Sequence, residues 1–190
     1  MGFLDALLGK RKATKNAPDR LFAITTAAIT LETGHDIRPR GSAAVVFQPL
    51  ATGDFQQIAA DVEELVRATG QETGTTVATS EDTFGYRWFE LHDPDVEDLA
   101  VAINAVNDSL TSGGYSDRLL CAVFAFQDAS DAAIYFIYNF KRGGWYPFVP
   151  AGGAQQRSNE RELQLKAQLT GELPFEPELE RWFPLWGTPI

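Results

Sequence analysis

Hydrophobic and polar positions are most sharply patterned between Arg118 and Pro150, RLLCAVFAFQDASDAAIYFIYNFKRGGWYPFVP. Leu119–Phe126 is an unbroken apolar run of strand length, and Ile134–Phe140 is aromatic and β-branched, as a pleated, mostly buried surface prefers. Between them, Asp128-Ala129-Ser130-Asp131 supplies turn residues whose short polar side chains satisfy nearby backbone groups. Gly143-Gly144 offers a two-residue hairpin turn, because glycine tolerates the positive φ such turns require. Pro147 donates no ladder hydrogen bond, so a third strand, Trp145–Val149, belongs at a sheet edge. Two such strands left open would aggregate, which places them mid-sheet with helices over one face.

The rest of the chain reads as β-β-α units. In the first, Ala27–Thr33 and Ala43–Leu50 are predicted strands, followed by a helix over Asp54–Thr69. That helix has Asp54 as cap, Phe55, Ile58, Val62, Leu65 and Val66 inward, and Gly70 as stop. The second has strands near Thr75–Thr79 and Tyr86–Leu91, then a helix capped by Asp93 with Pro94 in its first turn. Val96, Leu99, Ile103, Val106 and Leu110 face inward, and Gly113 closes it. The third is the hairpin described above plus a helix from Ser158 to Thr170, ended by Gly171. The expected fold is α+β: a mainly antiparallel sheet with helices packed on one face, built from three successive β-β-α units plus an aromatic C-terminal tail. In the tail (172–190), Trp182, Phe183, Leu185 and Trp186 either lid the core or form a docking patch, since aromatics are enriched where proteins meet.

Residues 1–18 stand apart from the single domain expected over 19–190. Phe3, Leu4, Leu7 and Leu8 fall on one helical face and are followed at once by Lys10, Arg11 and Lys12. So short a helix needs a surface to stabilise it: its own domain, a partner or a lipid headgroup layer. Four apolar and several basic residues permit weak, reversible adsorption to an anionic membrane. Ala6 stands where a myristoylation site needs serine or threonine.

Charge sharpens this division. The net charge is −10, yet residues 1–20 carry +3, leaving −13 on the remainder. An acidic body argues against DNA or RNA, whose binding rests on neutralising phosphates. The length suits one domain with a real core, and no apolar run reaches the ~20 residues of a membrane span. A secretory h-region is missing and the single cysteine, Cys121, cannot form an internal disulfide; both fit a cytoplasmic protein.

Candidate chemistry is sparse. His35, His92 and Cys121 show no metal-ligand spacing, and no metal or cofactor is expected. Gly114-Tyr115-Ser116-Asp117-Arg118 lacks the second glycine of a nucleophile elbow and precedes a strand, whereas an elbow joins strand to helix. Asp61, Glu63 and Glu64 read as a solvated helix face, and Glu81-Asp82 as loop acids, so no catalytic residue is assigned. The loop PAGGAQQR before Ser158, with Arg157, could hold an anion at a helix start. Lys141, Arg142, Trp145 and Tyr146 crowd the neighbouring hairpin tip. Contacts to a ligand or partner are therefore expected at Arg142, Trp145, Tyr146 and Arg157, and on the tail at Trp182, Phe183 and Trp186.

Several segments together carry a family resemblance: MGFLDALLGK (1–10), LFAITTAAITLE (21–32), LLCAVFAFQD (119–128), YNFKRGGWYPFVP (138–150), NERELQLKAQL (159–169) and WFPLWG (182–187). They resemble PspAB, the PspA-associated proteins of actinobacteria and some archaea. The resemblance implies a cytoplasmic accessory of a phage-shock, or envelope-stress, system, encoded near PspA-type membrane-remodelling proteins or HtpX-like membrane metallopeptidases. The expected function is a non-enzymatic adaptor that binds a PspA-type coiled coil or an HtpX-like peptidase. Its N-terminal segment would hold it at the inner face of the cytoplasmic membrane. The alternatives are a small-ligand or anion binder, or an enzyme, with a pocket near residues 142–158; a homodimer through a sheet edge or the tail is a further arrangement.

Overall fold

The computed structural model describes residues 18–153 and 155–190. The N-terminal residues read as an amphipathic basic segment (Phe3, Leu4, Leu7, Leu8, Lys10, Arg11, Lys12) lie outside the described residues. Helix α1 (Pro18–His35) leads into β1 (Arg38–Phe47), then α2 (Gly53–Thr73), β2 (Thr76–Glu81), β3 (Arg87–His92) and α3 (Val96–Ser112). Strands β4 (Leu119–Gln127), β5 (Ala133–Asn139) and β6 (Gly144–Phe148) follow. A two-residue ribbon, β7 (Pro150–Ala151) with β8 (Gln156–Arg157), precedes α4 (Asn159–Gln168), and a 3-10 turn spans Leu179–Arg181 in the tail. The main sheet is antiparallel, in the order β2-β3-β1-β4-β5-β6.

The class is α+β, and β4 and β5 lie inside the sheet with β6 at its edge, where Pro147 is tolerated. The first predicted strand is overturned. Ala27–Thr33 lies within α1, so the order is not three β-β-α units: β1 has no hairpin partner before α2. The β-branched run TTAAIT argued for a strand, but Leu21, Ile24, Ala28 and Leu31 recur at helical spacing, and all four are buried. Packing of this stripe beside α3 outweighs propensity.

Caps also differ from expectation. Asp95, not Asp93, caps α3, its side chain accepting from the Glu97 N–H at 2.8 Å. Asp93 is buried and accepts from Thr75 Oγ1 (2.7 Å) and the Asp95 N–H (2.8 Å), joining α2's exit to α3's entry. Helix α2 begins after Thr52 rather than at Asp54, and runs past Gly70 to a left-handed Gly74. Leu65, expected inward, is exposed, whereas Phe55, Val62 and Val66 are buried.

Strand alternation sorts the sheet into two faces. Ala43, Val45, Phe47, Phe124, Phe126, Phe136 and Tyr138 point into the larger core, beneath the helices. Val46, Trp88, Cys121, Val123, Ile137, Tyr146 and Phe148 point to the opposite face. Among the described residues, the tail covers that outer face: Trp182 is buried on it, with Leu185, Trp186 and Ile190 packed alongside. The tail also seals the free edge of β6. Trp145 N–H donates to the Pro174 carbonyl at 2.9 Å, and Glu176 N–H donates to the Trp145 carbonyl at 2.8 Å.

Candidate apolar groove on the outer sheet face

Because the tail covers the outer face incompletely, it leaves a groove of about 380 Å3. One wall is the β2–β3 hairpin, with Phe84 at its tip and Tyr86 and Trp88 below. The hairpin is held in shape by Asp82, whose carboxylate accepts from the backbone N–H groups of Phe84 (2.9 Å) and Tyr86 (3.0 Å) and from the Trp88 indole (3.0 Å). The facing wall is the tail segment Phe183–Trp186. Trp186 is fixed edge-on against Phe148, with ring centroids 5.0 Å apart. Cys121 and Tyr146 form the floor, and Asn139 and Lys141 close the end beside the β5–β6 hairpin.

The chemistry of the groove is that of binding apolar surface. Burial pushes the Cys121 thiol up to about 12, so near neutrality it is protonated and a poor nucleophile. Burial likewise raises the Tyr146 phenol well above its ordinary value, which keeps the hydroxyl neutral. At the mouth, Phe84 is 75% exposed and Phe183 is 59% exposed. Two phenylalanine side chains flanking an apolar hollow form an exposed patch of the kind that marks interaction surfaces.

The residues expected to make contacts fall into three groups. Tyr146, Phe183 and Trp186 meet in the groove. Trp145 lies on the other side of the sheet, fully buried against Phe124 and Tyr138. Arg142, Arg157 and Trp182 fasten the tail. Arg142 pairs with the buried carboxylate of Glu176 and stands 3.7 Å from Glu178. Arg157 pairs with the buried Glu162 at 2.8 Å, donates to the Trp182 carbonyl at 2.6 Å and sits over the Phe148 ring. Trp182 stacks on Tyr146, and its indole donates to the Glu176 carbonyl at 3.1 Å. The Ser158 helix start is a poor anion site, since Glu160 and Glu162 occupy its first turn and Ser158 Oγ already accepts from the Arg161 N–H. Sequence reasoning passed over Asp82, Phe84 and Trp88 as groove residues. The available signal was Phe84, an aromatic residue in the otherwise polar turn Glu81–Gly85.

Among the described residues, no helix is long and apolar enough to cross a membrane, and no three His, Cys, Asp or Glu side chains are grouped to hold a metal ion. The family model PspAB, PspA associated protein B, matches residues 1–190. The chain belongs to the PspAB family. The resemblance carried by separate segments thus extends over the full length, and the groove and its tail wall lie inside the PspAB match. No curated protein and no solved structure matches the chain.

Proposed function

We propose that this PspAB chain is a non-enzymatic accessory protein of a PspA-type envelope-stress system, and that it binds a protein partner through the outer-face groove and its aromatic rim. The observation that carries this reading is the groove itself: largely apolar, flanked by exposed Phe84 and Phe183, with its thiol and phenol held in neutral forms. Such a surface suits the apolar face of an amphipathic helix. A PspA-type coiled coil is the partner favoured by the family's name, and an HtpX-like membrane peptidase is the competing partner. Lys10, Arg11 and Lys12, beside Phe3, Leu4, Leu7 and Leu8, support a weak contact with the inner face of an anionic membrane.

Co-purification tests the partner. Phe183→Ala/Trp186→Ala should recover several-fold less PspA-type protein than the native chain; equal recovery removes the rim from the account, and recovery of the peptidase alone replaces the partner. Flotation with anionic vesicles at low salt tests the membrane contact. The native chain should float and Leu4→Asp/Leu7→Asp should not; if the native chain stays at the bottom, the tether is discarded.

A further inference from the structure

We propose that, when no partner is bound, the groove has an occupant within the same chain: the apolar stripe Phe3, Leu4, Leu7 and Leu8. The first turn of α1 is fixed to the β5–β6 hairpin, because Arg20 Nη1 donates to the Gly143 carbonyl at 3.0 Å and the Trp145 indole donates to the Arg20 carbonyl at 2.7 Å. That same hairpin supplies Asn139 and Lys141 to the end of the groove. The chain therefore enters the domain beside the groove, around one end of the sheet. Passing from the helix layer to the outer face covers about 20 Å, taking about 10 Å per packed layer. Residues 9–17 span up to about 30 Å when extended, so the stripe reaches the hollow.

Chemistry fits as well as distance. Residues 3, 4, 7 and 8 share one helical face, the spacing with which a helix seats in a groove. Phe84 and Phe183 would be covered by the docked stripe. Joining the stripe to its site through a short connection makes binding intramolecular, at an effective concentration in the millimolar range for such linkers, so weak contacts suffice. A stripe seated in the groove is withdrawn from lipid, so the two contacts compete for the same four side chains.

Hydrogen exchange on the full chain, without lipid or partner, tests this independently of the accessory reading. In the native protein the amides of residues 3–8 should exchange at least about tenfold more slowly than in Phe84→Asp/Phe183→Asp. Both substituted side chains are exposed, so the fold should be retained, as circular dichroism will show. Leu4→Asp/Leu7→Asp should give the reciprocal result, faster exchange in the 82–86 turn. Protection should be unchanged by hundredfold dilution. Equal exchange of residues 3–8 in the native and Phe84→Asp/Phe183→Asp proteins overturns the proposal. So does protection that disappears on dilution, since the occupant would then be a second copy.

Discussion

The Trp145 indole N–H donates to the Arg20 carbonyl at 2.7 Å, tying the edge strand to the first turn of α1 across most of the sequence. The ring is fully buried between Phe124 and Tyr138. Trp145→Phe keeps an aromatic filler but removes the indole's hydrogen bond to the Arg20 carbonyl. It should lower stability by about 1–2 kcal/mol in urea titration. Trp145→Ala should cost about 3–5 kcal/mol, because a cavity is added to the lost bond. If both variants lose the same amount, the hydrogen bond is the dominant contribution and the packing account fails.

Glu162 is 2% exposed, and its carboxylate accepts from the Val149 N–H at 2.9 Å while pairing with Arg157. Glu162→Ala strands both donors and should cost about 3 kcal/mol. Glu162→Gln, which keeps an acceptor for Val149, should cost less. The loss should appear in Trp182 fluorescence as well as in global stability, since Arg157 also holds the Trp182 carbonyl.

Two helical glycines should respond in opposite directions. A Cβ on Gly70 would stand 2.0 Å from the Thr75 carbonyl oxygen, a backbone atom that cannot step aside. Gly70→Ala should therefore destabilise by about 1–3 kcal/mol despite alanine's better helix propensity. Gly34, near the end of α1, has open space around it, and Gly34→Ala should add about 0.5–1 kcal/mol. Thermal melts of the two variants make the comparison directly.

Alkaline pH should weaken the fold. Burial raises Cys121 from 9.0 to about 12, and it also raises Tyr135, Tyr138 and Tyr146 above their ordinary values. The folded state thus holds protons that the unfolded chain releases near pH 9–10. The contribution of these groups is fully present below about pH 9 and is lost as pH rises toward 12. Urea midpoints should be flat between pH 7 and 8 and fall by pH 10.5. Cys121→Ala should make the fall shallower, and an unchanged slope would assign it to the tyrosines. Native Cys121 should resist alkylation at pH 7.5 and react promptly in denaturant.

Much of this architecture was legible because period-2 alternation and turn chemistry act locally. The strands of the β4–β5–β6 hairpins could be read from Arg118–Pro150, where Asp128 accepts from the Ser130 and Ala132 N–H groups as its place in the turn suggests; the β5–β6 turn is the four residues 140–143 rather than Gly143-Gly144, because Gly144 already pairs with Asn139. Helix α1 was misread because Thr25, Thr26, Ile29 and Thr30 favour strands locally, while its buried stripe leans on small alanines that carry little signal. The groove was illegible for a different reason. Phe84, Cys121, Tyr146 and Trp186 meet only through tertiary packing, and no local period links residues so far apart. Trp145 and Tyr146 show how adjacency misleads: neighbours in a strand face opposite layers, so one is core and the other lines the hollow.

The stretch Leu173–Glu176 links several parts of the molecule at once: it pairs with the β6 backbone, and the residues that follow shield the outer aromatics and build a groove wall. A single proteolytic cut there would bare a raw strand margin and a greasy sheet in one event.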